Sequence, residues 1–141
     1  MKTLALFITL LSTQVFAQLS IISHDNTASF NYQLKDSDIG SSVGELTIKM
    51  LNDYEILYQG SEQGLNSILN SPTGLDATVI ISDSEMKSYG WCFKINGVIP
   101  EVYANEVFIN TTTDQVLWFW GYAHYKDGEW IAQCASDPDS L

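Results

Sequence analysis

The sequence contains no arginine and only six lysines, against 17 aspartates and glutamates, in 141 residues. Its formal charge of -11 at pH 7 repels the phosphates of nucleic acids and the headgroups of anionic lipids. This imbalance excludes nucleic-acid binding and attachment to a membrane through basic patches. The partners that remain are neutral or cationic, or are held through apolar contacts.

Charged residues as a whole are scarce, at 16%, whereas 45% of the residues are apolar. A chain of this composition can build a hydrophobic core, which excludes wholesale disorder and the fibrous or low-complexity classes. Its length is that of one domain, and no internal repeat or linker is visible.

Motifs that carry catalysis or bind metals are also missing. There is no Gly-x-Ser-x-Gly elbow, no Gly-rich phosphate loop and no cysteine beside a plausible base. His24 and His124 lie far apart, and neither belongs to a spacing such as His-x-x-x-His. We therefore predict that the chain is not an enzyme and has no cofactor or metal centre. Asp36, Asp38 and Glu45 match a calcium loop only in part, so divalent-cation binding is a minor alternative.

The first 17 residues have the pattern of a secretory signal peptide. Lys2 precedes an apolar run from Leu4 to Val15, and Ala17 stands where a signal peptidase cleaves. The run is shorter than the roughly 20 residues that span a bilayer. We predict a signal peptide over residues 1–17 and one domain over residues 18–141 of a secreted or periplasmic protein. Loss of Lys2 makes the mature chain more acidic still.

Export determines how the two cysteines are interpreted. In an oxidising compartment, Cys92 and Cys134 are expected to form a structural disulfide. Their spacing does not resemble Cys-x-x-Cys, which gives thiol exchange and a zinc ribbon little support.

The amino-terminal half predicts a hairpin followed by one helix. Two short runs rich in aliphatic and aromatic residues, 19–24 and 28–34, flank a polar turn. Apolar residues at helical spacing then predict a helix over about residues 43–52, capped by Ser41 or Ser42.

The remainder predicts extended structure. The Asn96-Gly97 and Asp127-Gly128 pairs are typical of tight hairpin turns. Residues 71–88 are predicted as a long loop that contains one short strand, 77–81. Further strands are predicted over 55–58, 66–69, 90–99, 107–109, 115–125 and 129–134. The predicted fold is α+β and β-grasp-like, with one helix packed on a mixed, mainly antiparallel sheet.

Three motifs stand out along these elements. They are Tyr58-Gln-Gly60-Ser61 with the following Gly64 and Ser67-Ile68, Gly90-Trp91-x-Phe93-x-Ile95-Asn96-Gly97, and Asp114-x-Val116-x-Trp118-x-Trp120. In sequence and order they resemble motifs of exported bacterial domains of unknown function that are related to the carboxy-terminal domain of transcobalamin and intrinsic factor.

This resemblance implies a soluble-ligand-binding β-grasp domain, and the ligand of the animal relatives is cobalamin. The chain departs from the family at Thr113-Asp114-Gln115, in the long 71–88 stretch and in the extension 121–134. It also lacks the helical barrel that forms the other wall of the cobalamin site. Cobalamin is therefore possible only by family resemblance, and no ligand contact is carried over.

Aromatic residues late in the chain are the candidate binding site. On a strand, Trp118, Trp120 and Tyr122 share one face. That face is either core or an exposed apolar surface suited to a planar, saccharide or aromatic ligand. We predict a non-catalytic domain that binds a small soluble ligand through Trp91, Trp118, Trp120 and Tyr122. The alternative is a protein-interaction module that docks a partner by its aromatic patch or a free sheet edge.

Overall fold

A single α-helix packs against a six-stranded mixed sheet in the computed structural model, which describes residues 18–137. The α+β prediction is thereby confirmed, while the predicted signal peptide over residues 1–17 lies outside the described residues. No helix between residues 18 and 137 is long and apolar enough to cross a membrane. The regular elements are β1 (Gln18–Ile22), β2 (Ser29–Gln33), α1 (Val43–Asp53), β3 (Tyr58–Ser61), β4 (Gly64–Ile68), β5 (Thr78–Ser82), β6 (Glu85–Ile95), β7 (Val116–Lys126) and β8 (Glu129–Ala135), with short 3-10 turns at Asp36–Asp38, Gly74–Ala77 and Ala104–Glu106.

The long strand β7 lies at the centre of the main sheet, whose order is β2-β1-β7-β6-β5. β6 pairs with the whole of one edge of β7. β1 pairs in parallel with residues 116–118 on the other edge, and β8 pairs with the later part of that edge. All the other pairings are antiparallel, and β3 and β4 form a separate hairpin.

Both predicted tight turns form. Asn96 and Gly97 have φ of 50° and 80°, and Asp127 and Gly128 have φ of 50° and 92°. Two successive positive φ angles are those of the turn that matches strand twist in hairpins. The second turn joins β7 to β8 as predicted. After the first turn, however, the predicted return strand is reduced to one bridge between Ile95 and Val98, since Pro100 follows closely and has no N–H to offer a ladder.

Within the predicted loop over residues 71–88, the predicted short strand 77–81 is confirmed as β5, but the residues that follow it are wrongly predicted as loop. The second half of this segment is a hairpin, because β5 pairs with the first four residues of β6 and β6 itself begins at Glu85. Residues 82–88 lack the apolar alternation that marks a half-buried strand. Pairing on both edges, with β5 and β7, provides the stabilisation that the local sequence does not signal.

The predicted strand over residues 107–109 is also not formed. Only a single bridge links Phe108 to Ser42. The backbone next to this bridge is instead hydrogen-bonded to the start of the helix. The carbonyl of Val107 accepts a hydrogen bond from the N–H of Val43 at 2.8 Å.

The helix begins where the sequence indicates. Ser42 is the N-cap, and its hydroxyl accepts a hydrogen bond from the N–H of Glu45, whose carboxylate accepts one from the N–H of Ser42. The predicted apolar stripe is buried along the helix. It packs with residues of β1, β2, β4 and β7 into one core, whose largest fully buried side chains are Leu19, Ile21, Val43, Thr47, Met50, Leu51, Ile68, Ile109, Val116 and Trp118.

Candidate functional site

Aromatic side chains run in pairs along one face of β6 and β7. Each pair consists of residues that lie directly opposite each other in the antiparallel register. The ring centroids are 5.0 to 5.5 Å apart in the three pairs, which we call the aromatic ladder: Phe93–Trp118, Trp91–Trp120 and Tyr89–Tyr122. The shared face predicted for the late tryptophans is therefore present.

The inner end of the ladder belongs to the core. Trp118 is only 2% exposed, and its indole N–H donates to Oγ1 of Thr47 on α1 at 2.8 Å. Thr47 in turn donates to the carbonyl of Val43 at 2.7 Å. Of the two alternatives for this face, core holds at Trp118, because the helix covers this part of the sheet. The expectation of an open aromatic surface is thus corrected at this position.

The middle of the ladder is half-buried and internally packed. Trp120 contacts the rings of Trp91, Tyr89 and His24, with centroids at 5.5, 6.4 and 5.9 Å. The ammonium of Lys87 lies 4.2 Å from the ring centroid of Tyr122. Trp120 and Tyr122 are thus packed against neighbouring side chains and are only partly exposed.

Charged residues close the outer end of the ladder. Nε2 of His124 lies 2.8 Å from Oε1 of Glu85, and Nζ of Lys126 lies 3.5 Å from Oε2 of the same carboxylate. The hydrogen bond with His124, helped by the charge of Lys126, lowers the pKa of Glu85 against the effect of its partial burial. Burial and the nearby Asp137 carboxylate raise the pKa of Tyr89. The end of the ladder that is farthest from α1 is therefore lined by polar and charged side chains.

A cleft lies along the other edge of β6. β5 pairs with β6 only as far as Ser88, and within residues 18–137 no strand pairs with the next part of that edge. Three consecutive residues, Trp91 to Phe93, line the cleft, which places it at the edge of the strand rather than over one face. Its volume is about 700 Å³, within the range of about 300–1,000 Å³ that is typical of ligand sites. We call it the β6 cleft.

The other walls of the β6 cleft come from segments distant in sequence. The turn end of the β3–β4 hairpin faces β6, and the segment after the Asn96-Gly97 turn closes one side. Besides Trp91, Cys92 and Phe93, the lining includes Gly60, Ser61, Gln63, Gly64, Leu65, Asn66, Ile99, Pro100, Val102, Tyr103, Trp118 and Cys134.

The lining is aromatic and polar but uncharged. The indole N–H of Trp91 donates to Oγ of Ser71 at 2.9 Å, which holds the ring in place. Tyr103 is 64% exposed, and the amide-bearing Gln63 and Asn66 are exposed as well. Among the lining residues that the structure describes there is no carboxylate, ammonium or imidazole group.

Two of the four predicted ligand-binding residues line the β6 cleft. Trp91 and Trp118 do so, although Trp118 exposes very little surface, whereas Trp120 and Tyr122 do not. Sequence reasoning missed Gln63, Asn66 and Tyr103. The first two lie beside the glycine motif of residues 58–64, but only the folded chain brings them opposite Trp91.

The predicted disulfide between Cys92 and Cys134 is present, with a Cα–Cα distance of 5.7 Å. It links β6 to β8, which lie on opposite sides of β7. Gly121 of β7 makes room for it, because a Cβ at this position would lie 3.0 Å from Sγ of Cys92. The disulfide borders the β6 cleft and is consistent with an oxidising compartment.

Two of the three acidic residues near the helix start make hydrogen bonds within the protein. Asp38 accepts hydrogen bonds from the hydroxyl of Tyr32 at 3.0 Å and from the N–H of Lys35 at 2.9 Å. Glu45 belongs to the capping box. Between residues 18 and 137, no group of three or more His, Cys, Asp or Glu side chains is placed to hold a metal ion. The divalent-cation alternative therefore gains no support.

Comparisons with protein-family models, with curated proteins and with solved structures give no match. The resemblance to transcobalamin-related domains thus rests on the three sequence motifs. Function has to be inferred from the chemistry of the β6 cleft.

Proposed function

We propose that this chain is an exported, non-catalytic domain that binds a small uncharged ligand in the β6 cleft. The observation that carries the proposal is the lining of the cleft, which combines aromatic rings with uncharged polar groups and contains no ionised side chain in the described residues. Apolar and aromatic walls with a few convergent polar groups are the usual composition of small-molecule sites. In this proposal Trp91 replaces the late tryptophan face as the main aromatic contact.

The architecture supports a β-grasp interpretation. A hairpin, one helix and a mainly antiparallel sheet follow one another, and the helix packs on the sheet through Thr47 and Trp118. Together with the three motifs, this arrangement favours a relationship to the soluble-ligand-binding domains of the transcobalamin type. Export is supported by the signal-type leader and by the disulfide between Cys92 and Cys134.

The same lining supports the proposal of binding without catalysis. A catalytic site needs a nucleophile or an acid–base group close to the bound ligand. The β6 cleft offers amides, hydroxyls and aromatic rings among its described residues, and its two cysteines are joined in the disulfide.

A fragment screen by NMR tests the proposal. Uncharged aromatic and amide fragments are added to the 15N-labelled protein, and the indole N–H signals of its four tryptophans are followed. We expect fragments that shift the signals of Trp91, Gln63 and Asn66 while leaving Trp130 unmoved. A screen in which no fragment shifts the Trp91 signal would contradict the proposal.

Gly64 provides the matched variants for this screen. A Cβ at Gly64 would meet no atom within 4 Å, so a larger side chain can enter the β6 cleft there without backbone strain. Gly64→Phe should fill the cleft and abolish the fragment shifts, whereas Gly64→Ala should retain them. Circular dichroism of both variants verifies that they are folded.

A second candidate function is docking of a partner chain at the outer edge of the sheet. β5 pairs with β6 and, within residues 18–137, with no other strand. It exposes Val79, Ile80 and Ile81 and carries no charge, which is unusual for an unprotected edge. If it docks a protein, Ile80→Lys should abolish concentration-dependent association in sedimentation experiments. A wild-type chain that stays monomeric and recruits no partner would remove this candidate.

A further inference from the structure

The β6 cleft presents exposed hydrogen-bonding groups beside aromatic rings. The side-chain amides of Gln63 and Asn66 line it, and both residues are exposed. The hydroxyl of Tyr103 and the ring of Trp91 lie in the same lining. Each amide both donates and accepts hydrogen bonds. Such groups suit a ligand that carries several hydroxyls.

The charge of the lining narrows the class of ligand. The chain carries 17 acidic residues, but none of those within residues 18–137 lines the β6 cleft. A cationic ligand held there would lack a carboxylate partner, and an anionic one would lack a lysine. A charged ligand would give up part of its hydration there without gaining a counter-charge from the lining. The part of the ligand that lies in the β6 cleft should therefore be neutral.

The shape of the site favours an elongated ligand. A neighbouring cleft of about 910 Å³ shares Ile99, Val102 and Tyr103 with the β6 cleft and continues past Cys134 to Gln133. Its lining also includes Glu101 and Glu106, whose carboxylates accept hydrogen bonds. The two clefts share part of their linings, so a ligand of more than one ring can contact both.

We infer that the β6 cleft binds a neutral oligosaccharide. This inference rests on the proposed function and names its ligand class. The C–H groups of a pyranose ring pack against aromatic rings, here Trp91 and Tyr103, and its hydroxyls bond to side-chain amides, here Gln63 and Asn66. Aromatic residues that carry a polar N–H or O–H group are well suited to such partly hydrated contacts. Purely apolar ligands would leave both amides without partners.

The experiment titrates the full mature chain with four trisaccharides. Maltotriose, cellotriose and tri-N-acetylchitotriose are the neutral probes, and trigalacturonate is the anionic control. Binding is measured by isothermal titration calorimetry and by the NMR signal of the Trp91 indole N–H. We expect at least one neutral probe to bind and to shift that signal, and trigalacturonate to bind at least tenfold more weakly.

Variants assign the binding to the cleft. Gly64→Phe should weaken the neutral probe at least tenfold, and Gln63→Ala and Asn66→Ala at least threefold each. Asn52→Ala, at an exposed position on α1, is the matched control and should leave binding unchanged. Gly64→Ala is the control for the loss of glycine at this position and should retain binding.

Three outcomes overturn the inference: no neutral probe shifts the Trp91 signal, trigalacturonate binds as tightly as the neutral probes, or Gly64→Phe leaves binding intact. Failure of the inference is distinguishable from failure of the proposed function. If uncharged fragments shift Trp91 but saccharides do not, only the oligosaccharide assignment is lost. If neither shifts it, the binding role of the cleft is lost as well.

Discussion

Trp118 was predicted as a ligand contact but belongs to the hydrophobic core. Its indole N–H is buried and satisfied by the hydroxyl of Thr47. Thr47→Val keeps the shape of the side chain but removes the acceptor, and a buried donor without a partner costs about 1–3 kcal/mol. We therefore expect the free energy of unfolding to fall by that amount in urea titrations. Thr73→Val, at an exposed site, should change it by no more than about 0.5 kcal/mol.

Gly121 and Gly90 are a matched pair of glycines, since they lie opposite each other in β7 and β6. A Cβ at Gly121 would lie 3.0 Å from both Sγ of Cys92 and the carbonyl oxygen of Ala135, whereas one at Gly90 would meet no atom within 4 Å. Gly121→Ala should lower the free energy of unfolding by about 1–3 kcal/mol through overpacking. Gly90→Ala should be neutral or slightly stabilising, because alanine loses less backbone entropy on folding. Equal effects of the two changes in thermal unfolding would contradict this explanation.

At the scale of elements, the disulfide holds the closing hairpin to the rest of the sheet. β8 pairs only with the later part of β7 within the described chain, and the link from Cys134 to Cys92 adds a connection to β6. The two cysteines are 42 residues apart. Closing a loop of that size stabilises a fold by about 3–4 kcal/mol in the chain-entropy model.

Removing the disulfide should therefore lower stability strongly. The double variant Cys92→Ser with Cys134→Ser should lose about 3–4 kcal/mol in guanidinium titrations. Wild-type protein under reducing conditions serves as the control and should behave in the same way. If neither preparation is destabilised, β8 is held by its strand pairing alone. Hydrogen exchange should show the largest loss of protection in residues 129–135.

At the scale of the whole molecule, Asp114 couples folding to pH. It is buried, and its carboxylate accepts hydrogen bonds from Nδ2 of Asn96 at 3.0 Å and from the backbone N–H groups of Asn110 and Thr111 at 2.8 and 3.1 Å. Burial raises the pKa of Asp114, but these hydrogen bonds outweigh it and the net pKa is lowered below its ordinary 3.8. The resulting stabilisation is complete above pH 3.8 and is lost as the pH falls through the folded-state value.

Asp114→Asn tests this coupling. At pH 7 the variant should lose about 2 kcal/mol of stability, because a charge-assisted acceptor is replaced by an amide. The difference from wild type should shrink as the pH falls from 5 to 2, since the wild-type carboxylate is then protonated. Asp76→Asn, at an exposed position, is the control for the loss of one charge. A difference between wild type and Asp114→Asn that is constant with pH would contradict the assignment.

Local sequence determined a large part of this structure. The first hairpin, the capped helix and the Asn-Gly and Asp-Gly turns were predictable, because each depends on residues that are close in sequence. The disulfide was predicted from the cysteine count and from the oxidising compartment that the pattern of residues 1–17 predicts. The acidic composition predicts, without any structure, that nucleic acids and anionic membranes are not partners.

Only the tertiary structure decided the candidate site. Alternation along β7 shows that Trp118, Trp120 and Tyr122 share a face, but not that α1 covers its inner end. The first residues of β6 were missed because their pairing partners, rather than their own pattern, stabilise them as a strand. The β6 cleft assembles Gln63, Trp91 and Tyr103 from three separate segments. Their proximity depends on long-range packing, for which local patterns carry no signal.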